Sequence, residues 1–484
     1  MNKLEVILKQ HTPLIHFQHD QEGATLRASE VKPKLDRFIL TKLGEEYHEM
    51  AKREYKNEYD EKLKELKKKN PNVSDLSFYD TGCIYALKQD WLIKGKEGAL
   101  DYKIRFLAQK ENYIKSIYLS SFSEEKEGEL KYMTATFPFL LANMGGKDNK
   151  NELKNFSFYK EINLLAVTFN DYLYRKIKKE IISFFLLNNF GNRHNKGFGS
   201  FTVKSIDGEM VVGDSLTLKQ TFFLSFENEG KIRLNKATSQ NERREINSNE
   251  LEFYEQIFNV IDYYWKRLKS GINYVPKGEY QKSITDNHER YKKSFLFKYL
   301  NENTDYTWEK RFIKEKFYGL SPKINPKPYF ARAIMGLPDK FTYSKPTYLN
   351  KSNPEYPIYQ DRAKRDDIKI VQKIEPKTIE RIASPIYFKP IVDNNLIKVY
   401  VLIKEEHIQE IYANKLCDLF NFEKENNNKK YHGCLSLPLQ IINYKKLLNQ
   451  YNKELLSEDS SKDFFTPKDF RWNNIVEKVK IKHN

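Results

Sequence analysis

Three consecutive segments constrain the fold of this chain more than any other feature. Residues 164–170 alternate between apolar and polar side chains as a strand does, and residues 171–188 repeat their apolar side chains at helical spacing. A loop with three glycines, residues 190–200, then runs into a second alternating segment, residues 198–206. The pattern predicts a strand, an amphipathic helix and a returning strand. The predicted buried stripe of the helix is Leu173, Ile177, Ile181 and Phe184.

Earlier segments extend this pattern. Residues 4–8 and 102–108 predict strands, and residues 29–43 predict a helix. The element order is then β-α-β-β-α-β, which is that of a ferredoxin-like fold. Residues 45–70 are almost entirely charged at helical spacing, which predicts an exposed inserted helix. The predicted inner face of the first helix is Val31, Leu35, Phe38 and Ile39.

The pattern begins again in the second half. Residues 220–226 predict a strand and residues 249–270 a helix, and a hairpin is predicted for residues 384–392 and 396–404. The predicted class is therefore α+β, with two tandem ferredoxin-like domains, 1–212 and 213–484, that carry helical and loop insertions. The predicted loops are residues 137–146, 423–431 and 458–462.

Charge and composition restrict the partners of the chain. Its 484 residues carry a formal net charge of +17, and 14% of them are aromatic. Basic side chains interleaved with aromatic ones suit RNA or single-stranded DNA, because the rings stack on unpaired bases. A compositional bias toward Lys, Asn, Ile, Tyr and Phe is the alternative explanation.

The cysteines indicate the compartment. Cys83, Cys417 and Cys434 are far apart and form no Cys-x-x-Cys pair, which argues against a disulfide framework and a cysteine zinc site. We therefore expect a reducing, cytoplasmic setting. Residues 1–9 lack a signal-peptide pattern, and the apolar residues 181–187 are too few to span a bilayer, so we expect no membrane partner.

The glycine-rich loop, residues 190–200, is the first candidate site. Its glycines leave the backbone free to adopt positive φ and to approach another chain closely. The cations between them suit phosphate binding, and in so basic a chain the expected phosphates are those of a nucleic acid. The alternative is an ordinary helix-to-strand turn that binds nothing. The candidate residues are Gly191, Arg193, His194, Lys196, Gly197 and Gly199.

The start of the first helix is the second candidate site. A helix N-terminus presents free N–H groups and a partial positive charge, which favour phosphate. The helix begins either at the cap Ser29 or near Pro33, which prefers the first turn. We expect it to share a surface with the glycine-rich loop; ordinary surface lysines are the alternative. The candidate residues are Arg27, Ser29, Lys32, Lys34 and Arg37.

Several of these motifs together resemble a known family. Residues 8–13, residues 23–32 and the glycine-rich loop resemble the RAMP superfamily of CRISPR proteins, and more narrowly the first subunit of the type III-B (Cmr) effector complex. Residues 331–338 and 381–385 resemble the same subunit. Ala28 departs from the family pattern, which often has glycine there. The matching residues of the opening motif are Thr12, Pro13, Leu26, Arg27, Ser29 and Lys32.

The resemblance implies a role. It implies tandem ferredoxin-like domains in an RNA-guided antiviral complex, with contacts to the 3′ region of the guide crRNA, to target RNA and to other RAMP subunits. It implies no catalytic residue, and we expect no metal and no cofactor. Arg332 and Arg381 are further RNA-binding candidates, with salt bridges at the edge of the core as the alternative.

Two other functions stay open on the sequence. His11, His16 and His19 lie in one loop, and paired imidazoles can act as acid and base in metal-independent cleavage of guide RNA. Their spacing matches no metal signature, and no phosphate-binding P-loop, dinucleotide fingerprint or His-Glu-x-x-His motif occurs. A protein scaffold without direct RNA contact is the third hypothesis.

Overall fold

The described part of the chain combines helices with mostly antiparallel strands, which confirms the α+β class. A computed structural model describes residues 1–15, 25–69, 71, 73–96, 98–109, 113–118, 123–126, 129–132, 154–211, 222–227, 248–273, 291–303, 307–308, 328–329, 331–336, 340–344, 365–373, 378–379, 383–393, 396–405, 407–408, 420–426, 429–435 and 442–457. The predicted loops 137–146 and 458–462 lie outside these residues.

The helices and strands follow one another along the chain. The helices are α1 (Ala28–Glu54), α2 (Lys56–Lys69), α3 (Phe78–Lys88), α4 (Asp171–Leu187), α5 (Ser248–Lys269), α6 (Phe295–Asn303) and α7 (Tyr444–Ser457). The strands of the first half are β1 (Asn2–Gln10), β2 (Lys103–Leu107), β3 (Tyr113–Tyr118), β4 (Ser123–Lys126), β5 (Glu129–Tyr132), β6 (Lys154–Tyr159), β7 (Glu161–Thr168), β8 (Phe201–Ile206), β9 (Glu209–Met210) and β10 (Phe222–Glu227). Those of the second half are β11 (Ile272–Asn273), β12 (Tyr291–Lys292), β13 (Thr307–Trp308), β14 (Pro328–Tyr329), β15 (Lys340–Ser344), β16 (Arg365–Lys373), β17 (Thr378–Ile379), β18 (Ile386–Asp393), β19 (Leu396–Ile403), β20 (Phe420–Asn426) and β21 (Lys429–Leu435).

The chain folds into two compact units. The first contains Met1–Asn259 together with Phe388–Tyr400, and the second contains Val260–Tyr387 and Val401–Ile481. The first unit is therefore discontinuous in sequence, since it includes the turn region of the β18–β19 hairpin.

The main sheet of the first unit has the strand order β2-β7-β1-β8-β9. The central strand β1 pairs antiparallel with β7, from Asn2 opposite Thr168 to Lys9 opposite Glu161, and antiparallel with β8 on its other side. The first and third strands of the predicted β-α-β-β-α-β order are thus neighbours. The antiparallel pairing of β1 with β8 places the end of β1 and the start of β8 at the same end of the sheet.

Alternating burial explains why these segments form a sheet with one covered face. On β1, Leu4, Val6 and Leu8 are buried and join the core, while the residues between them are half-buried or exposed. All four residues of the predicted α4 stripe are buried, as is most of the α1 face. An apolar stripe at helical spacing packs on an apolar sheet face because each removes the other from water.

The first helix differs from its prediction at both ends. It begins at Ala28 with Arg27 as an extended N-cap, includes Pro33, has a kink at Tyr47 and continues to Glu54. The charged residues predicted to form one exposed helix instead belong to α1 and α2. This region also has a small core of its own, because four of its residues are buried together: Ala51, Tyr59, Leu76 and Ile84.

The described elements of the second half agree with three predictions and contradict one. The predicted strand, helix and hairpin correspond to β10, α5 and β18–β19. The predicted polar loop 423–431 is wrong, since β20 and β21 pair there from Phe420 opposite Leu435 to Asn426 opposite Lys429. A strand can be polar when one of its faces is in water.

In the second unit, buried aromatic side chains join α5 to α7. The Tyr264 hydroxyl donates to Asn452 Oδ1 at 2.9 Å, and the Tyr451 hydroxyl donates to the Tyr264 carbonyl at 2.8 Å. Phe295 of α6 lies 5.2 Å from the Tyr451 ring, centroid to centroid. Each buried hydroxyl is satisfied, which is what burial of tyrosine requires.

Candidate nucleic-acid interface

The glycine-rich loop is held by the segment that follows β1. The Gly199 N–H donates to the Pro13 carbonyl at 2.8 Å, and the Asn192 N–H donates to the Ile15 carbonyl at 2.8 Å. Thr12 Oγ1 donates to the Gly197 carbonyl at 2.6 Å and accepts from the backbone N–H of Ser200 at 2.9 Å. The Thr-Pro motif and the glycine-rich loop, far apart in the sequence, therefore form one hydrogen-bonded structure.

The three glycines of this loop serve its own packing. Gly197 and Gly199 have φ of +93° and +64°, and both are buried. A Cβ on Gly199 would lie 2.0 Å from the Phe190 carbonyl oxygen, and a Cβ on Gly191 would lie 2.6 Å from the Ile15 carbonyl oxygen. These close approaches are made within the protein, and the approach of another chain to the glycines stays a prediction.

The start of α1 lies directly against the glycine-rich loop. Glu30 Oε1 accepts from the Gly191 N–H at 2.7 Å and from Lys34 Nζ at 2.9 Å. The Lys34 ammonium also lies 5.2 Å from the centroid of the Phe190 ring, within the range of a cation–π contact. The two candidate cationic segments therefore meet, as the sequence predicts, and a carboxylate joins them.

The candidate cations differ in accessibility. Ser29 and Arg37 are exposed, and Arg37 lies 5.0 Å from the Tyr79 ring centroid. The Lys32 ammonium is bonded within the protein, since it donates to Asp36 at 2.7 Å and to the Leu100 carbonyl at 2.9 Å, and its contact with RNA stays a prediction. The remaining candidate cations are half-buried: Arg27, Lys34, Arg193, His194 and Lys196.

The backbone of the loop places its cations close together. Arg193 has φ +56°, in the left-handed region that non-glycine residues rarely adopt, and precedes a 3₁₀ turn, His194–Lys196. Asn189 Nδ2 donates to the His194 carbonyl at 2.8 Å, and His194 Nδ1 donates to the Gly191 carbonyl at 3.0 Å. The loop is therefore internally bonded rather than a bare flexible turn.

A strand from the distant hairpin supports the loop. Lys389 is fully buried, and its ammonium donates to the carbonyls of Phe185 at 2.7 Å, Asn188 at 2.9 Å and Phe201 at 2.7 Å. Two of these carbonyls lie at the end of α4, where a cation also complements the helix dipole. The neighbouring Phe388 ring lies 5.8 Å from the Lys196 ammonium. Lys389 thus fixes both ends of the glycine-rich loop.

His11 is buried and bonded through both ring nitrogens. Its Nδ1 accepts from the Val392 N–H at 3.0 Å, so the proton is on Nε2, which donates to Thr202 Oγ1 at 2.7 Å. Burial, followed by the charges of Lys389 and Lys9, holds the pKa of His11 well below its usual value. His11 is therefore a neutral structural residue. His16 and His19 lie outside the described residues.

We expect His11 to make the protein sensitive to acid. An unfolded histidine binds a proton near pH 6.5, whereas the folded His11 does so only at lower pH, so stability falls as pH decreases below about 6.5. The maximum contribution is about 1.4 kcal/mol per pH unit. Urea unfolding at pH 7.5 and 5.5 should show a smaller pH effect in His11→Gln than in the wild type. An equal pH effect in both proteins would contradict this role.

Two further candidates lie in the second half of the sequence. Arg332 is 7% exposed in its 3₁₀ turn, Ala331–Met335, and its phosphate contact stays a prediction. Arg381 lies outside the described residues. Within the described residues, no group of three metal-ligating side chains that could hold a metal ion occurs.

Sequence reasoning missed the two residues that organise the interface. Glu30 lies within the recognised opening motif, but a carboxylate gave no signal of binding to a basic loop. Lys389 did leave a signal, since it is a lone cation in the otherwise apolar segment Ile-Tyr-Phe-Lys-Pro-Ile-Val of β18. A buried lysine in such a strand must find acceptors, which here are backbone carbonyls.

An α+β protein in which a basic glycine-rich loop packs on a basic helix start is of the class typified by the RAMP superfamily, which the sequence resembles. The family comparison is more specific. The Cmr1 N-terminal domain model matches residues 1–272, and the Cmr1 C-terminal domain model matches residues 291–472. The chain belongs to the Cmr1 family.

Two solved structures are similar at low sequence identity. Cmr1 from Pyrococcus furiosus in its apo form is 9% identical, with 93% of this chain and 97% of that chain covered and a TM-score of 0.28. A chain of the Type III-B Cmr-beta complex, bound to cognate target RNA and AMPPnP in the presence of ssDNA, is 11% identical, with 85% and 98% covered and a TM-score of 0.27. No curated protein matches the chain significantly. The family assignment therefore rests on the two domain models.

None of the helices in the described ranges combines the length and the apolar character needed to cross a bilayer.

Proposed function

We propose that this chain is a non-catalytic RNA-binding subunit of a type III-B CRISPR effector complex. It holds a single strand of guide or target RNA across the glycine-rich loop and the start of α1, and other RAMP subunits of the complex are its protein partners. Membership in the Cmr1 family supports the assignment to the complex. The geometry of the two basic segments supports the RNA contact.

The observation that carries the proposal is the junction between these segments. Glu30 is bonded to both Gly191 and Lys34, so the two basic segments, residues 27–37 and 190–196, meet at this carboxylate. Lys34 neutralises the carboxylate, and the exposed Arg37 adds positive charge beside it. A polyanion is attracted to such a cluster, and it releases counterions when it binds.

The proposed contacts follow accessibility. Arg27, Arg37 and Arg193 offer guanidinium groups to phosphate oxygens, and Arg is well suited to bidentate phosphate contacts. The exposed Ser29 lies at the second position of α1, where backbone N–H groups have no partner within the helix. His194 would add to the positive surface on the loop side, and the Lys196 ammonium, which is buried 5.8 Å from the Phe388 ring centroid, would contribute its charge from beneath that surface.

The ribonuclease alternative depends on the histidines of one loop, and the first of them, His11, is poorly placed for catalysis. His11 is 3% exposed and both of its ring nitrogens are bonded, so it cannot reach a ribose 2′-hydroxyl without rearrangement of the loop. The scaffold alternative makes a different prediction. It predicts that replacing the cations of the glycine-rich loop leaves the affinity for RNA unchanged.

We also propose that the tandem ferredoxin-like organisation, 1–212 and 213–484, holds with one modification. The antiparallel order β2-β7-β1-β8 supports a ferredoxin-like first domain. The grouping of Phe388–Tyr400 with the first unit suggests that a hairpin from the second half completes it.

Replacing both loop cations, Arg193→Ala and Lys196→Ala, is expected to weaken single-stranded RNA binding and to flatten its salt dependence. Each lost phosphate contact changes the slope of log K against log salt by about 0.7, so the double variant, which loses the direct contact of Arg193 and the buried charge of Lys196, should lose about 0.7 or more from the slope. Fluorescence anisotropy with a labelled RNA, measured between low and moderate salt, gives this slope.

A charge-matched control distinguishes the loss of a specific phosphate contact from the loss of net positive charge. Lys67→Ala and Lys68→Ala remove the same formal charge from exposed positions on α2. The slope of this control should equal that of the wild type. An unchanged slope in the loop variant, or equal slopes in both variants, would refute the proposed contact and favour the scaffold.

A further inference from the structure

Two aromatic side chains near the start of α4 are exposed to solvent. Phe169 is 83% exposed and Tyr172 is 68% exposed. They lie at the opposite end of β1 from the glycine-rich loop, since Asn2 pairs with Thr168 whereas Gln10 pairs with Phe201. Nine residues of β1 separate these ends, a distance of about 27 Å. A molecule bound there would leave the proposed RNA contact accessible.

Phe169 has no packing role in its own helix. Asn170 caps α4, and its side chain accepts from the Leu173 N–H at 2.9 Å. An apolar residue directly before such a cap often packs against the fourth helical residue, which here is Tyr174. Phe169 is too exposed to make this contact, and the Tyr174 hydroxyl instead donates to Asp207 at 3.3 Å.

The composition of this surface is that of a protein interface. The exposed Arg175 guanidinium lies 5.5 Å from the Tyr172 ring centroid, so the ring is already oriented beside a cation. Phenylalanine, tyrosine and arginine are enriched at the centres of protein–protein interfaces and among the residues that carry most of the binding energy.

The charges around these aromatic side chains distinguish a protein from a polynucleotide. Lys178 and Asp207 pair at 2.6 Å, and Lys3 pairs with Glu5. This balanced rim offers a polyanion no net attraction, although the chain carries +17 as a whole. It complements a protein surface with charges of both signs. The charged side chains at this end include Lys3, Glu5, Asp171, Arg175, Lys178, Asp207 and Glu209.

We propose that Phe169, Tyr172 and Arg175 form a docking surface for another protein subunit of the effector complex. The partner surface would offer an apolar pocket to the Phe169 ring and a rim of mixed charge. This inference rests on the proposed function, because it requires that the chain assemble with other subunits.

The test is binding of the purified chain to the remaining Cmr subunits of the same organism, assembled with guide RNA. Phe169→Ser with Tyr172→Ser should raise the dissociation constant about 30-fold or more in biolayer interferometry, the effect of losing an interface hot spot. Leu87→Ser is the matched control, since Leu87 on α3 is 60% exposed, and it should bind within about twofold of the wild type. Thermal unfolding should be the same for all three proteins.

The possible outcomes separate this inference from the proposed function. A wild-type chain that binds none of the subunits overturns both. A double variant that binds the subunits as the wild type does overturns only the docking surface. Loss of RNA affinity by the free double variant, with subunit binding unchanged, would make this surface a nucleic-acid contact. Dimerisation of the wild type that the variant abolishes would make a second copy the occupant; either result refutes the proposal.

Discussion

Lys389→Met is expected to lower the free energy of unfolding by about 2 kcal/mol or more, because three carbonyls, two of them buried, lose a donor and each buried one costs about 1 kcal/mol or more when unpaired. These carbonyls belong to Phe185, Asn188 and Phe201, on both sides of the glycine-rich loop. Methionine has a similar length and flexibility, so the change removes the ammonium and leaves the volume nearly the same. Urea unfolding monitored by circular dichroism measures the loss.

A lysine of the same hairpin provides the control. Lys398 lies on β19 and is half-buried, whereas Lys389 is fully buried. Lys398→Met should change the free energy of unfolding by less than about 0.5 kcal/mol, as is usual for accessible positions. If both variants are equally stable, Lys389 does not hold the loop, and the hairpin is not part of the first unit in solution.

Gly199→Ala is the second large expected effect. A methyl group there would lie 2.0 Å from the Phe190 carbonyl oxygen, and the backbone has φ +64°. The left-handed conformation costs a side-chain-bearing residue about 1–2 kcal/mol, and the forced backbone shift adds about 1–3 kcal/mol. We expect a total loss of about 2–5 kcal/mol in urea unfolding, together with weaker RNA binding, because the loop must open between Gly199 and Phe190.

Gly208→Ala separates the clash from the conformational strain. Gly208 has φ +85°, but a Cβ there would meet nothing within 4 Å. The free energy of unfolding of this variant should therefore fall by only about 1–2 kcal/mol, which is the cost of the backbone strain. Similar losses in the two variants would show that Gly199 serves the turn alone and not the close packing of the loop.

The elements of the first sheet were predictable from the sequence because their signals are local. A period of two on β7 and a helical period on α4 each follow from one buried face, and the stripe Leu173, Ile177, Ile181 and Phe184 is buried as expected. The polar β20–β21 hairpin was not predictable in this way, since its pairing is not encoded in an apolar alternation. The end of α1 at Glu54 also has no local signal, because the charged residues 45–70 keep their helical spacing beyond it.

The candidate site was predictable in part. The meeting of the helix start with the glycine-rich loop follows from the adjacency of β1 with β7 and β8. The roles of individual residues do not follow, because they depend on distant partners. Lys32 looked like a surface cation but donates to Asp36, where burial raises the pKa of the carboxyl. Gly199 looked accessible, yet it packs on Phe190 of its own loop and on Leu14, which lies far away in the sequence.

The central claim is that the start of α1 and the glycine-rich loop bind the same RNA strand. The direct measurement is photo-crosslinking of the chain to a single-stranded RNA with one 4-thiouridine, followed by mass spectrometry of the linked peptides. We predict that peptides from residues 25–37 and from residues 190–200 are both linked to that one nucleotide. Links confined to one of these segments, or to other parts of the chain, would contradict the claim.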